Sequence, residues 1–227
     1  MDITIHPIAR MHSDFSSKFG IPRQSGLVQQ LESTIVFEPA YRNADALRGI
    51  EDFTHLWLIW QFSKAVRQDW SPTVRPPRLG GNTRMGVFAT RSPFRPNNLG
   101  LSCVQLLGVE TTPDVGTVLH VGGADLLDGT PIFDIKPYIP YADCHPEATG
   151  GFTDSAGDFL LSVDFPPNLL NRLPAGKREA AAAVLSHDPR PSYQRTPGRV
   201  YGLSFAGYDI RFTVEENHLQ VLDVQPL

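Results

Sequence analysis

Cysteine is scarce in this 227-residue sequence, and no run of apolar residues is long enough to span a bilayer. The two cysteines, Cys103 and Cys144, have no metal-ligand spacing, which predicts free thiols in a reducing compartment. The N-terminus lacks the basic-then-apolar pattern of a secretion signal. These absences argue against a disulfide-stapled or membrane-spanning protein and predict a soluble, cytoplasmic chain without a metal site.

The sequence also lacks the glycine-rich motifs that bind nucleotide phosphates. No GxGxxG pattern follows a predicted strand, and no P-loop pattern occurs in the chain. The usual sequence signs of a Rossmann domain or a P-loop NTPase are therefore missing. Taken alone, the residues predict no nucleotide-containing cofactor.

Basic residues are fewer than acidic residues over the whole chain, but the arginines are concentrated in one region. The formal net charge is −4 at pH 7, which argues against a surface that coats nucleic acid indiscriminately. Residues 70–109 nevertheless contain no aspartate or glutamate and five arginines: Arg75, Arg78, Arg84, Arg91 and Arg95. A local basic patch on an acidic protein favours a specific RNA contact. The alternative is a structural cluster that neutralises acids from other segments.

Residues 84–102, RMGVFATRSPFRPNNLGLS, combine positive charge with conformational restriction. Apolar residues near its start predict the end of a strand, after which Arg91 and Arg95 alternate with Pro93 and Pro96. Because proline fixes φ and biases its predecessor toward extended geometry, such a loop loses little entropy when its arginines bind an anion or a carboxylate. The alternative is a surface turn whose arginines are solvated or paired with acids.

The apolar pattern predicts a mainly β protein with a β-barrel-like N-terminal domain. A long loop is predicted at residues 11–24, and Asn43 is predicted to cap a short helical turn. The most apolar run, residues 53–62, predicts a central strand buried on both faces, with His55 as a satisfied core histidine. The predicted strands of this domain are residues 2–10, 31–37, 53–62, 101–109, 115–121 and 131–139.

Residues 145–157 are rich in Gly, Thr, Ser, Ala and Asp, which predicts a domain boundary. We place the N-terminal domain at residues 1–145 and a small α+β C-terminal domain at residues 146–227. The second domain is predicted to contain a helix at residues 177–186. Its predicted strands are residues 200–205, 208–214 and 219–224.

Several blocks of the chain resemble a known family. RMGVFATRSPFRPN, and LDGTPIFDIKPYIPYAD at residues 127–143, resemble the signature of the TsaA/TrmO family of tRNA methyltransferases. Similar blocks follow the family's order over nearly the whole chain: IPRQSGLV, YRNADALRGIEDFTHLWLIWQF, PTVRPPRLGGN and DPRPSY. The resemblance implies S-adenosylmethionine bound on a β-barrel at the interface of a homodimer. It also implies methyl transfer to N6 of threonylcarbamoyladenosine beside the tRNA anticodon.

The same resemblance implies which residues contact the methyl donor. Arg91 would pair with the donor's carboxylate, and Asp128 would accept a hydrogen bond from the ribose, although Asp-Gly is also an ordinary turn. Asn98 departs from the family's more frequent Asn-Pro-Ile, so a slightly softer loop is expected. The full set is Gln24, Ser25, Gly26, Leu27, Ser63, Lys64, Arg91, Leu101, Asp128, Gly129, Thr130 and Pro131.

Methyl transfer to a weakly nucleophilic nitrogen requires alignment and is helped by an acceptor for the nitrogen's proton. The candidate carboxylates, among which the sequence does not choose, are Asp134, Asp143 and Asp188. Anticodon-loop bases are commonly held by aromatic or guanidinium planes. The candidate RNA contacts are Arg84, Arg95, Tyr138, Tyr141, Arg190, Tyr193 and Arg195. Each tyrosine could equally be a half-buried packing residue.

Three hypotheses for the function are compatible with the sequence. The leading hypothesis is a homodimeric S-adenosylmethionine-dependent tRNA methyltransferase whose C-terminal domain helps to bind the anticodon loop. A non-catalytic RNA-binding barrel would bind tRNA and have no affinity for the methyl donor. A small-molecule methyltransferase on the same scaffold would bind the donor and ignore RNA. The length of the resemblance favours the first hypothesis.

Overall fold

The computed structural model describes residues 3–66, 69–154, 160–190, 196 and 198–227. Its strands are β1 (Ala9–His12), β2 (Glu32–Phe37), β3 (His55–Gln61), β4 (Thr73–Val74), β5 (Met85–Gly86), β6 (Leu99–Thr112), β7 (Gly116–Gly122), β8 (Pro131–Pro137), β9 (Ser162–Asp164), β10 (Tyr201–Phe205), β11 (Tyr208–Glu215) and β12 (His218–Pro226). Its α-helices are α1 (Pro140–Asp143), α2 (Pro167–Leu170) and α3 (Arg178–Ser186). Short 3-10 helices lie at Pro39–Tyr41, Ala44–Leu47, Ile50–Asp52, Pro77–Leu79, Val87–Ala89, Gly151–Thr153 and Ala175–Lys177.

Six antiparallel strands of the N-terminal half close into a barrel in the order β1-β2-β7-β6-β3-β8. Alternate residues of these strands point inward and form a buried core, which includes Met11, Ile35, Leu58, Leu119 and Ile132. This alternation is what a closed sheet with one enclosed face requires. The predicted mainly β class with a barrel-like N-terminal half is confirmed.

Strand β3 occupies the central position that its apolar sequence predicts, paired with β6 on one side and β8 on the other. Leu56, Leu58 and Trp60 are buried inside the barrel, whereas Trp57 and Ile59 face outward and are half-buried. The prediction of burial on both faces was wrong, because a barrel encloses only one face of each strand.

Two further local predictions were wrong. The strand predicted at residues 2–10 begins only at Ala9, where the chain first pairs with both β2 and β8, and Ile3 before it is 83% exposed. His55 is exposed at the start of β3, and its Nδ1 lies 3.0 Å from Oγ1 of Thr54. It is therefore a surface histidine.

The structure agrees with the predicted cap at Asn43 and with the predicted bounds of the C-terminal helix to within one residue. The side chain of Asn43 accepts a hydrogen bond of 3.0 Å from the amide of Asp45 and caps the 3-10 helix Ala44–Leu47. Helix α3 begins one residue after the predicted start and ends at the predicted Ser186. The sequence did not predict β9 or α2, because three or four residues are too few to show a period.

The C-terminal half forms a four-stranded sheet in the order β10-β11-β12-β9, against which α3 packs. Its hydrophobic core is not made of C-terminal residues alone, since Phe15, Val28 and Leu31 from the N-terminal half are buried in it. The ring of Phe15 meets that of Phe205 edge-on, with centroids 5.4 Å apart. The long loop between β1 and β2 therefore joins the barrel to the second sheet.

Gly20 lies in this loop where it passes closest to the second sheet. Its φ is +87°, and a Cβ there would overlap the side chain of Leu203. Both features require glycine. The position matters because Gly20 and its neighbour Ile21 also line the cavities described below.

Among the described helices, none is both long enough and apolar enough to cross a membrane.

Candidate functional site

The loop between β5 and β6 is held by its own polar groups. Arg95 donates from Nη1 to the carbonyl oxygens of Thr90 (3.0 Å) and Ser92 (3.3 Å). Asn98 donates from Nδ2 to the carbonyl oxygen of Pro93 at 2.7 Å, a contact that a proline at position 98 could not make. Arg95, predicted to contact RNA, thus serves to fix the loop that carries Arg91.

A cavity of about 470 Å³ opens beside this loop at the rim of the barrel. Its size is in the range of sites for small molecules and cofactors. Four separate segments of the chain meet there, and apolar walls come from Trp57, Trp60 and Leu127. We call it the small pocket. Six of the residues predicted to contact the methyl donor line it: Gln24, Ser63, Lys64, Arg91, Leu101 and Thr130.

Arg91 supplies a positive charge to the small pocket. Its guanidinium donates from Nη1 to the side-chain oxygen of Gln24, which is neutral, and it forms no ion pair with any acid in the described part of the chain. Gln24 therefore orients the guanidinium without neutralising it. A cation held in this way can pair with a carboxylate that enters the pocket.

Asp125 supplies the opposite charge and is the only acid among the described residues that line the small pocket. Its Oδ1 accepts a hydrogen bond of 2.6 Å from the hydroxyl of Ser102, whose oxygen accepts one of 2.9 Å from Nε1 of Trp60. Burial raises the pKa of Asp125 above its ordinary value, and this outweighs the lowering by the Ser102 hydroxyl and the charge of Arg91. Asp125 belongs to none of the motifs that predict site residues.

The remaining residues predicted to contact the donor lie around the pocket's edge in structural roles. Oγ of Ser25 accepts from the Cys103 amide at 3.2 Å. Gly26 donates its amide to the Gly123 carbonyl at 2.8 Å, and Leu27 lines a neighbouring cavity.

The turn at residues 128–131 connects to β1. Asp128 accepts from the Ser13 amide at 3.1 Å, and the Gly129 amide donates to the Met11 carbonyl at 2.8 Å. Pro131 begins β8 opposite Arg10. Of this turn, the described structure brings Thr130 alone into the small pocket.

A larger cleft of about 2040 Å³ continues from the small pocket toward the C-terminal sheet. Gln24, Thr90 and Arg91 line both cavities. The cleft is rich in arginine, with two acids, Asp188 and Glu216, on its described lining. Its arginines are Arg23, Arg75, Arg84, Arg91 and Arg190.

An exposed aromatic pair lies at the edge of the cleft. Trp70 and Phe88 stack with ring centroids 6.1 Å apart and an interplanar angle of 26°, although they are 50% and 73% exposed. Phe88 lines the cleft, as does the nearby Arg84, which donates weakly to Oγ1 of Thr73 at 3.4 Å. The small β4–β5 hairpin brings these groups together. Sequence pattern did not predict this pair, because the two residues are distant along the chain in a segment without periodicity.

Arg190 and Asp188, predicted to have separate roles, pair with each other. The guanidinium of Arg190 donates to both carboxylate oxygens of Asp188, at 2.8 and 3.0 Å, and the residue is 8% exposed. This contact raises the pKa of Arg190. Asp188 has a φ of 49°, so the turn is tight. Tyr193 and Arg195, predicted in the same segment, lie outside the described residues.

The other two candidate carboxylates lie away from both cavities. Asp134 forms an ion pair of 3.0 Å with Lys136 on the outer face of the barrel. Asp143 accepts a hydrogen bond of 2.7 Å from the Ile139 amide at the start of α1. Each has a local partner, and neither lines the small pocket or the cleft.

The two tyrosines predicted to contact RNA differ in exposure. Tyr138 is half-buried and packs against Trp57, with centroids 5.8 Å apart, on the outside of the barrel. Burial and the neighbouring Cys144 raise the pKa of its hydroxyl. Tyr141 is 90% exposed on α1. Neither lines the cleft, so the structure does not bring them together with Arg84.

The described residues contain no cluster of three or more His, Cys, Asp or Glu side chains suited to a metal ion. Both cysteines are free thiols. Burial and the charge of Asp143 raise the pKa of the Cys103 thiol, which therefore stays protonated at neutral pH.

Comparison with known proteins identifies relatives along almost the whole chain. Residues 10–144 match the model of the tRNA-methyltransferase O N-terminal domain, and residues 160–227 match the TrmO C-terminal domain. A tRNA (adenine(37)-N6)-methyltransferase of Escherichia coli strain K12 is 39% identical, with 96% of each chain covered. A putative S-adenosylmethionine-dependent methyltransferase of Pseudomonas aeruginosa is also 39% identical and covers 99% of this chain and 98% of its own.

A solved structure agrees with these sequence matches. The crystal structure of TrmO from Pseudomonas aeruginosa superposes with a TM-score of 0.80 at 34% identity. The match covers 100% of this chain and 98% of the other. The resemblance drawn from the sequence motifs is confirmed.

Proposed function

The chain belongs to the TrmO family of S-adenosylmethionine-dependent tRNA (adenine(37)-N6)-methyltransferases, and we propose that its substrate is tRNA carrying threonylcarbamoyladenosine next to the anticodon. The product would carry one methyl group more, on N6 of that adenine. The observation that best supports the proposal is the continuity of the two cavities. A pocket sized for the donor opens directly into a basic cleft sized for a nucleic-acid loop, and Arg91 lies at their junction.

The small pocket suits S-adenosylmethionine chemically. Arg91 offers a cation to the methionyl carboxylate, and Trp57 and Leu127 offer apolar surface to the adenine. Thr130 adds a buried hydroxyl. When bound, the donor supplies an activated methyl group on a sulfonium, so the protein's main task is to align the acceptor and exclude water.

The acceptor's proton requires a destination. Of the carboxylates predicted for this role, Asp134 and Asp143 lie outside both cavities. Asp188 lines the cleft, but both of its oxygens already accept hydrogen bonds from Arg190. We propose that the proton leaves to solvent water through the open cleft, that these carboxylates contribute little, and that alignment in the cleft supplies most of the acceleration.

The cleft suits an anticodon loop. Phe88 offers an exposed ring on which an unstacked base can lie, and Trp70 supports it from behind. Arg84 and Arg75 have no acidic partner within the described chain and can neutralise backbone phosphates. The C-terminal half also lines the cleft, with Asp188 after α3 and Glu216 between β11 and β12, which is how we propose that the second domain assists tRNA binding.

We propose that the enzyme works as a cytoplasmic homodimer. The outer face of β3 and β6 presents an apolar strip of Trp57, Leu99 and Leu101 next to the small pocket, and Leu101 is 57% exposed. Covering it with a second copy would also close the pocket's open side. Sedimentation equilibrium of the full chain should give twice the monomer mass, and Leu101→Glu should shift it to monomer. A monomeric wild type would contradict the dimer.

Nucleoside analysis tests the substrate. The full-length protein is incubated with S-adenosylmethionine and tRNA that carries threonylcarbamoyladenosine. The tRNA is then digested to nucleosides, and their masses are measured by mass spectrometry. We expect the mass of threonylcarbamoyladenosine to rise by about 14 units, because a methyl group replaces one hydrogen. Alignment of the acceptor nitrogen with the donor's methyl group is what should make this reaction fast. The matched control is the same tRNA transcribed without modification. Equal methylation of both tRNAs would show that the threonylcarbamoyl group is not recognised.

A further inference from the structure

The small pocket contains two opposite charges that do not neutralise each other. Arg91 is held by the neutral Gln24, and Asp125 is held by the neutral Ser102. Each lines the pocket, yet they form no ion pair, although Arg91 is near enough to lower the pKa of Asp125. A partly buried carboxylate without a cationic partner is costly, so its retention requires a ligand or a structural reason.

The neighbours of Asp125 fix its position without removing its charge. The hydroxyl of Ser102 donates to Oδ1, and the backbone amide of Ser25 also donates to the carboxylate. Ser102 is 1% exposed and is itself anchored by Trp60. A carboxylate that accepts hydrogen bonds in a fixed orientation is a preorganised electrostatic anchor for a cationic group.

We propose that Asp125 and Arg91 together recognise the zwitterionic amino-acid end of the methyl donor, with Asp125 accepting hydrogen bonds from its α-ammonium group. The donor's carboxylate and ammonium are attached to one carbon atom, so two separated charges of opposite sign in one pocket are complementary to them. This inference rests on the family's use of S-adenosylmethionine and deepens it by assigning a residue to the ammonium.

A structural role for Asp125 predicts different behaviour. If the carboxylate only supported the Ser102 hydroxyl, asparagine would serve as well, because its side-chain oxygen accepts the same hydrogen bond. Asp125→Asn keeps the size and an acceptor for Ser102 and removes the negative charge. If the variant loses affinity only for ligands that carry a cationic group, the loss is therefore attributable to the missing charge.

Three ligands separate the possible roles of Asp125. S-adenosylmethionine has the ammonium and the sulfonium, S-adenosylhomocysteine has the ammonium alone, and 5′-methylthioadenosine has neither. Isothermal titration calorimetry of wild type and Asp125→Asn should show that the variant loses roughly 10- to 100-fold in affinity for the first two ligands, as expected for a hydrogen bond between charged groups. Affinity for 5′-methylthioadenosine should be unchanged.

Asp128→Asn is the matched control on the same segment. Any contact it makes to the ribose is shared by all three ligands, so its effect should be the same on each of them. Loss in Asp125→Asn confined to S-adenosylmethionine would instead assign the residue to the sulfonium. Equal loss on all three ligands would mean general damage to the pocket, and no loss would exclude a binding role.

Recognition of the donor's ammonium and methylation of threonylcarbamoyladenosine can fail independently of each other. A wild type that binds the donor with the ligand selectivity described, yet does not methylate threonylcarbamoyladenosine, would retain Asp125's role and overturn only the RNA substrate. A wild type that binds none of the three ligands would overturn the assignment of the small pocket and of Asp125 with it.

Discussion

Gly100 lies directly opposite Trp60 across the β3–β6 pairing, and a Cβ at position 100 would come within 3.0 Å of three atoms of the indole. The missing side chain lets the indole lie flat on β6 with its Nε1 donating to Ser102 at 2.9 Å. That hydrogen bond continues to Asp125. Gly100 thus leaves room for the indole that anchors Ser102, one of the hydrogen-bond donors to Asp125.

Replacing this glycine should disturb the pocket before it disturbs the barrel. In Gly100→Ala we expect the indole of Trp60 to shift, at a cost of about 1–3 kcal/mol in the free energy of unfolding, as for other overpacked cores. Chemical denaturation measures that cost, and calorimetry should show weaker donor binding. Unchanged tryptophan fluorescence and unchanged donor affinity would contradict the close packing.

The contact between Phe15 and Phe205 couples the barrel to the C-terminal sheet. Phe15 is 1% exposed, and Phe15→Ala should lower the free energy of unfolding by about 3–5 kcal/mol, because it leaves a cavity in the second core. Thermal unfolding followed by circular dichroism tests this. Leu222→Ala, which removes an exposed side chain from β12, is the control and should change stability by less than about 0.5 kcal/mol.

The same contact explains why truncation is a poor test of the second domain. Removing residues after the predicted boundary would expose Phe15, Val28 and Leu31, which are buried against the C-terminal sheet. A truncated chain would therefore lose stability and tRNA binding together. Point variants in the cleft avoid this confusion.

The stability of the folded protein should depend on pH through Asp125. Its pKa is raised in the folded protein, so the ionised form costs stability: the contribution is favourable below its unfolded pKa, about pH 4, and is lost as pH rises through the raised value. At neutral pH, Asp125→Asn should therefore melt no lower than wild type while binding the donor less tightly. A clear fall in melting temperature at neutral pH would contradict this linkage.

Acidification should have the opposite effect on donor affinity. Protonation of Asp125 removes the charge that attracts the ammonium, so affinity for S-adenosylhomocysteine should fall as pH drops toward that raised pKa. The fall should be absent in Asp125→Asn, and calorimetric titrations of both proteins over a pH series measure it.

Phe88 should matter for tRNA and not for the donor. Phe88→Ala removes an exposed ring that lines the cleft alone, so we expect tRNA binding to weaken about 5- to 100-fold, the usual effect of losing one base-stacking contact. Filter binding or fluorescence anisotropy with tRNA measures it at fixed salt. Equal tRNA affinity in Phe88→Ala and the surface control Leu222→Ala would exclude a stacking role.

The sequence predicted the scaffold better than the site. Alternation and apolar runs located most barrel strands, and the resemblance located Arg91 and Gln24 at one pocket. Asp125 could not be found, because its importance comes from burial beside Ser102, a residue distant along the chain. The pairing of Arg190 with Asp188 was equally hidden, since an Arg two residues after an Asp in a loop can face solvent or that Asp.

The most direct test compares two arginines of the same basic segment against two ligands. Affinities for S-adenosylmethionine and for tRNA are measured in wild type, Arg91→Ala and Arg84→Ala. Because Arg91 lines the small pocket and Arg84 lines the cleft alone, we expect Arg91→Ala to lose roughly tenfold or more in donor affinity. Arg84→Ala should keep donor affinity and lose tRNA affinity. The slope of the logarithm of its tRNA binding constant against the logarithm of salt concentration should be smaller in magnitude by about one. Equal loss of donor binding in both variants would contradict the assignment of donor and tRNA to separate, adjoining cavities.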